Sequence, residues 1–327
     1  MTPEELAQAS AKCRLIVNRI GEVFVGNRVL LEKVLAASLA DGHVLFEDVP
    51  GLGKTLLVKV CAHVMGCDYS RVQFTPDQLP SDIIGTNVWR QQSGTFELVK
   101  GPVFTNVLLA DEINRSPPKT QAALLECMEE RQVTIEGKSM VLERPFIVLA
   151  TQNPIEQEGT YPLPEAQMDR FMFRLSTGYA STTEQESLIL SRRIQWRKDD
   201  PSDEVQPVVT REEFVELQRL VENEIYIDQS ILDYISRMVR ATREHPKVEV
   251  GSSPRGGLAM LRASRSLALI RSRDFVTPDD VKAIAVDILS HRVILNIEDS
   301  LEGVKEEDVV EEVVSAAPAP TEFHPRK

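Results

Sequence analysis

The sequence predicts an α/β domain built on a parallel sheet, followed by a smaller all-helical domain. Three observations carry that reading. Short apolar runs alternate with helical patterns through the first half of the chain: HVLF (43–46), RVQFT (71–75), NVLLAD (106–111), FIVLAT (146–151) and FMFRL (171–175). Runs this short and this uniformly apolar suit strands covered on both faces. The runs stop after residue 178, and residues 210–295 carry helical periodicity, broken at HPKVEVGSSPRGG (245–257). Finally, 327 residues with 42% hydrophobic side chains suit two compact cores rather than one.

Residues 3–20 and 27–40 read as helices entering the first domain. Two hairpins interrupt the strand–helix alternation: residues 87–99 with Ser93-Gly94 at the tip, and residues 132–142 with Glu136-Gly137-Lys138 at theirs. Between them, Ser116 can cap a helix starting at Pro117, with Leu124, Leu125 and Met128 on one face. Thr183–Glu186 forms a capping box opening a linker helix to about Lys198, and DDPSDEVQP follows as a polar joint. The expected organisation is an α/β core over 1–178, a linker over 179–204, an all-α domain over 205–297, and an acidic, Pro/Ala-rich disordered tail over 298–327.

Net charge −13 argues against a general binder of nucleic-acid backbones. No apolar run approaches the roughly 18–20 residues that span a bilayer. The opening MTPEELAQASAKCR is a charged amphipathic helix without a signal peptide's apolar stretch. Cys13, Cys61, Cys67 and Cys127 show no CxxC spacing and the five histidines are scattered, so reduced thiols and no metal cluster are expected. The chain reads as soluble and cytoplasmic.

The stretch FEDVPGLGKT (46–55) matches a phosphate loop except at its first glycine, where Asp48 stands. An apolar strand feeds it and LLVKVCAHVM continues as a helix, the context that separates a phosphate cradle from a chance Gly/Pro turn. The loop residues Val49, Pro50, Gly51, Leu52, Gly53 and Leu56, through the backbone N–H groups of all but Pro50 and with the helix N-terminus, can wrap phosphate oxygens. Lys54 supplies a point charge and Thr55 a Mg²⁺ ligand. Gly51 and Gly53 are where a β-carbon would obstruct the approach most. Asp48 is tolerable if its carboxylate points away from the phosphates.

NVLLADEIN ends a buried strand in two acids. Asp111 can hold the hydrated Mg²⁺ and Glu112 can polarise an attacking water, although such a pair alone is more often an exposed loop. FIVLATQNP brings Asn153 beside them, either on the γ-phosphate or water or as a turn-forming Asn-Pro. Arg170 precedes the last apolar run and can act as an arginine finger on a neighbouring subunit, or simply pair with Asp169. Arg255, in GSSPRGG, begins a helix and can reach across to the phosphates, or be an ordinary loop arginine.

VPGLGKT, LLADEINRSPPKTQAALLECMEERQVTIEG, VLATQNPIEQEGTYPLPEAQMDRFMF and GSSPRGG resemble the MoxR family of AAA+ ATPases over about residues 10–295. The resemblance implies a five-stranded AAA+ P-loop core with a small all-α lid, Mg-dependent ATP hydrolysis, and a ring, usually hexameric. It makes residues 87–99 the helix-2 insert and 132–142 the pre-sensor-1 hairpin. Lys54 and Thr55 become Walker A, Asp111 and Glu112 Walker B, Asn153 sensor 1, Arg170 the finger and Arg255 sensor 2, with Val25-Gly26 against adenine. Arg115 is a second arginine near the subunit boundary. Family members resemble chaperones that mature or activate other proteins, often with von Willebrand factor A-domain partners.

The leading expectation is an ATP-driven remodelling ring, with ATP bound between core and lid and the two hairpins moving against a client. A nucleic-acid-associated motor is less favoured: each hairpin's charges net to zero and Trp89 and Phe96 are as able to pack inward as to stack on bases. The basic cluster Arg192, Arg193, Arg197, Lys198 reads as a solvated face. A σ54-type activator would need a GAFTGA loop, which the sequence lacks. A nucleotide-gated assembly scaffold with slow hydrolysis would use the same residues.

Overall fold

The computed structural model describes residues 2–154, 159–196 and 200–321. Five strands form one parallel sheet: β1 (Val44–Glu47), β2 (Tyr69–Gln73), β3 (Val107–Asp111), β4 (Ile147–Gln152) and β5 (Phe173–Leu175), in the order β2-β3-β4-β1-β5. Successive side chains of a strand point to opposite faces. Leu45, Leu108, Ala110, Val148 and Ala150 accordingly pack with Leu124, Leu125 and Met128 of the helix Pro118–Glu130. Val44, Phe46, Val107, Leu109, Ile147 and Leu149 pack on the other face with helices Pro3–Val23, Arg28–Leu39 and Lys54–Val64. This double cover is why the strands read as unbroken apolar runs.

Beyond the linker helix Thr183–Trp196 come the helices Arg211–Glu224, Gln229–Glu244, Pro254–Ile270 and Pro278–Leu289. Their apolar faces join the same buried cluster as the first two helices, with Met260, Tyr234 and Ile284 fully covered. Val248–Val250 pairs antiparallel with Ile294–Leu295 across the break at 245–253.

Several expectations need correction. The second strand begins at Tyr69 rather than Arg71 and ends at Gln73. Thr75 opens a turn closed by the Gln78 N–H, and Pro76 has no N–H to extend a ladder. Ser116 does not cap the following helix: Pro117 holds the cap position, and the Ser116 hydroxyl donates to the Ile113 carbonyl. The linker helix is capped from Thr182, whose Oγ1 accepts from the Gln185 N–H, and not by a box beginning at Thr183.

The expected disordered tail is ordered over most of its length. Ile297–Leu301 and Glu306–Ala316 are helical, and Val309, Val310 and Val313 are buried against helices Gln229–Glu244 and Pro278–Leu289. The three valines make an apolar stripe inside an acidic segment, so composition concealed an amphipathic helix. Glu322–Lys327, the end of that tail, lie outside the described residues.

The hairpins stand out from the sheet. Gly85–Arg90 pairs with Thr95–Lys100, and Gln132–Ile135 with Lys138–Val141 around Glu136 (φ 49°) and Gly137 (φ 78°). Two consecutive positive φ values are what a two-residue hairpin turn of matching twist requires. Asn87 Nδ2 donates to Glu136 Oε2 at 2.7 Å, joining the two hairpins. Trp89 and Phe96 do not pack inward: they are 51% and 69% exposed and meet edge to face at 5.1 Å.

Candidate nucleotide site

In a parallel α/β sheet the loops at the carboxyl ends of the strands form the ligand crevice. The loop after β1 enters the helix Lys54–Val64 through Gly53, whose φ of 75° is left-handed, as is Gly51 at 87°. A side chain at either position is strained whatever space surrounds it. Asp48 has no such backbone demand. Its carboxylate turns away from the loop, Oδ1 accepting from the Ser176 hydroxyl at 2.5 Å and Oδ2 from the Thr177 N–H at 2.7 Å and hydroxyl at 2.9 Å. An aspartate therefore fits where the motif asks for glycine. Lys54 is buried, and its ammonium donates to the Asp48 and Val49 carbonyls at 3.1 and 3.0 Å. Burial draws its pKa below the usual lysine value.

A cleft of about 530 Å³ brings this loop together with Asp111, Glu112, Thr151 and Asn153. β4 lies between β1 and β3, so the ends of three adjacent strands meet there. Thr151 donates to Asp111 Oδ1 at 2.6 Å and accepts from the Glu112 N–H at 2.8 Å. Glu112 occupies the left-handed region (φ 56°, ψ 49°), an uncommon state for a residue with a side chain. Thr151 ties that turn to the neighbouring strand.

Both acids are engaged by side chains of β2. Arg71 donates to Asp111 Oδ2 at 2.7 Å, and Gln73 donates to Glu112 Oε2 at 2.8 Å. Arg115 Nε lies 2.8 Å from that same Glu112 oxygen. The sequence reading missed Arg71, Gln73 and Thr151. The signal for the first two was present, since positions 71 and 73 of a strand share a face.

A second cavity, of about 720 Å³, adjoins the loop at Gly51, Leu52, Gly53 and Leu56. Val25 and Gly26 line it with Phe24, Tyr179, Ile189 and Trp196, apolar walls suited to a base. The two cavities are walled by residues before 202, so the expected position between core and lid is corrected to one between core and linker. Arg192 belongs to this wall and donates to the Gly21 carbonyl at 2.9 Å, so it is not part of a solvated face. Arg193 lines the cavity too, while Arg197 and Lys198 lie outside the described residues.

Arg170 and Arg255 sit elsewhere. They line a cavity of about 340 Å³ with Asp41, Gly42 and His43, which immediately precede β1. That is the amino end of the sheet, roughly 13 Å along a four-residue strand from the phosphate loop. The expectation that Arg255 reaches the phosphates of its own chain is therefore corrected. Nor does Arg170 pair with Asp169: it donates to Glu129 Oε2 at 2.8 Å, while Asp169 accepts at 2.7 Å from Arg292, whose side chain is 3% exposed.

Thr55 is exposed at the first turn of its helix, beside Asp111 in the cleft, so a hydroxyl and a carboxylate suited to Mg²⁺ face one space. Among the described residues no group of three or more His, Cys, Asp or Glu forms a metal cluster, and no helix is long and apolar enough to cross a membrane. The four cysteines are free, and burial pushes each thiol up to about 12.

Comparisons with known proteins bear on the fold and the family. Residues 43–173 match the model of the ATPase family associated with various cellular activities, and residues 240–313 match the AAA lid domain. The chain is similar to the uncharacterized protein YeaC of Bacillus subtilis, 47% identical over 94% of this chain and 94% of that protein. It is similar to the chaperone MoxR1 of Mycobacterium tuberculosis, 42% identical over 92% of this chain and 80% of that protein. The crystal structure of a candidate ATPase from Cytophaga hutchinsonii superposes with a TM-score of 0.89, at 41% identity, over 97% of this chain and 98% of that one.

Proposed function

Because this chain belongs to the MoxR family of AAA+ ATPases, we propose that it hydrolyses ATP in a homo-oligomeric ring to remodel, mature or activate client proteins. The observation that carries the chemistry is the single cleft in which the Gly51–Thr55 loop faces Asp111 and Glu112. Loop amides and the helix N-terminus would take the phosphates, with Lys54 exchanging its two carbonyl partners for phosphate oxygens. Thr55 and Asp111 would hold Mg²⁺, which supplies charge neutralisation at the outer phosphates when bound. Glu112 would polarise the attacking water once it leaves Gln73 and Arg115, and Asn153 would hydrogen-bond the γ-phosphate or that water. Phe24, Val25 and Gly26 would lie against adenine.

Arg170 and Arg255 would act in trans, on the nucleotide of a neighbouring subunit, because their cavity and the phosphate cleft share no residue. Six subunits and a von Willebrand factor A-domain client follow the family pattern, and free thiols suit the cytoplasm. The exposed Trp89–Phe96 pair gives the first hairpin an apolar face toward a client.

The test is Glu112→Gln. ATP binding should stay within about threefold while turnover falls by at least roughly 100-fold. Wild-type turnover would remove Glu112 from the role of base. The ATP-held variant should also retain the client in a pull-down.

A further inference from the structure

Glu129 is the last-turn residue of helix Pro118–Glu130, and its carboxylate receives two guanidinium groups from different parts of the chain. Oε2 accepts from Arg170, just before β5, at 2.8 Å. Oε1 accepts from Arg255, in the first turn of helix Pro254–Ile270, at 2.5 Å. The other cations of this cavity have other anchors: Arg292 on Asp169, Arg131 on the Phe146 carbonyl and Asp41, Arg262 on the Ala40 carbonyl.

We propose that Glu129 is a positioning residue that holds Arg170 and Arg255 together as one bidentate unit aimed at the nucleotide of the adjacent subunit. The inference rests on the trans reading above. Arginine side chains carry several rotatable bonds, and Arg255, 51% exposed, is only half covered by packing. Two guanidinium groups brought together also repel. One shared carboxylate removes both difficulties and leaves the trio with net charge +1, still attractive to a phosphate. Each guanidinium carries five N–H donors, more than one carboxylate can occupy. The mount is rigid: Leu125 and Met128 are buried on the same helix, and the Met128 carbonyl meets His43 Nε2 at 3.2 Å. The hydrogen bond from Arg170 holds the Glu129 carboxyl below the usual range, so the clamp stays ionised at neutral pH.

Glu129→Gln should lower kcat about tenfold with KM for ATP changed less than threefold, and Glu129→Asp should restore part of the loss. Mixed rings give the decisive readout. A Glu112→Gln subunit cannot hydrolyse but presents an intact clamp; a Glu129→Gln subunit has an intact hydrolytic cleft. Mixed at equal amounts, the rate per Glu129→Gln subunit should rise at least threefold over that variant alone. Simple dilution, with no gain, overturns the clamp, as does a Glu129→Gln rate equal to wild type. Arg170→Ala mixed with Glu112→Gln is the companion measurement. Its failure to complement sinks the trans reading itself, whereas success there beside failure of Glu129→Gln sinks the clamp alone.

Discussion

Gln73 and Glu112 are joined by a hydrogen bond of 2.8 Å from the amide of an edge strand to the acid proposed as the base. With Arg115 2.8 Å from the same oxygen, Glu112 Oε2 is held by two protein groups while the residue lines the cleft. Gln73→Ala should therefore raise client-free ATP turnover, by about tenfold, since a hydrogen bond to a carboxylate contributes about 1.5 kcal/mol or more. Steady-state phosphate release decides it. A tenfold fall would show that Gln73 aims the base and does not restrain it.

Thr151 offers a second test. Its hydroxyl bridges Asp111 and the Glu112 N–H, and valine keeps its shape without that bridge. Thr151→Val should lower kcat about tenfold through misplacement of two acids, with unfolding stability changed by about 1–2 kcal/mol. Unchanged kcat would leave the bridge a purely structural contact.

Asp48 concerns stability more than chemistry. Asp48→Gly restores the motif's glycine but strips partners from Ser176 and Thr177, leaving the Thr177 N–H without its acceptor. A loss of about 1–3 kcal/mol is expected in urea unfolding, with no gain in ATP affinity. A stabilised Gly variant would contradict the anchoring described here.

His43 sets a pH dependence. Burial, with Arg131 nearby, lowers its pKa well below the ordinary histidine value. Val148 N–H donates to Nδ1 and Nε2 faces the Met128 carbonyl, which assigns the neutral tautomer protonated at Nε2. The unfolded chain takes up a proton near pH 6.5 and the folded chain does not. Stability from this group is present above pH 6.5 and falls as pH drops below it, by up to about 1.4 kcal/mol per unit. Buried His291, also lowered mainly by burial, adds in the same direction. Urea midpoints between pH 7.5 and 5.5 should fall, and a flat profile would refute it.

The C-terminal helix gives the last prediction. Val310→Asp places a carboxylate in a site with 0% exposure and should cost about 3 kcal/mol or more, whereas a disordered tail would not register the change.

What the sequence made legible follows from its periodicities. The five apolar runs became the five strands, and the loop of Gly51–Thr55 and the pair Asp111-Glu112 share one cleft because neighbouring parallel strands end on the same side. Arg255 was misplaced because its position depends on how the later helices pack onto Arg28–Leu39, a long-range contact with no local signature. The same holds for Glu129, an unremarkable helix glutamate until Arg170 and Arg255 are brought to it. Trp89 and Phe96 show the limit of aromatic content as a guide, since a lone hairpin has no second layer to cover it.

β2 lies at the border of the sheet, tied to its neighbours by one ladder alone. The strand that occupies both acids is also the one that leads, through residues 74–84, into the hairpin Gly85–Lys100. On the function proposed above, a load on that hairpin would reach Arg71 and Gln73 along a short stretch of chain, without any central ladder having to break. The grip on cargo and the release of the acids would then be two ends of the same lever.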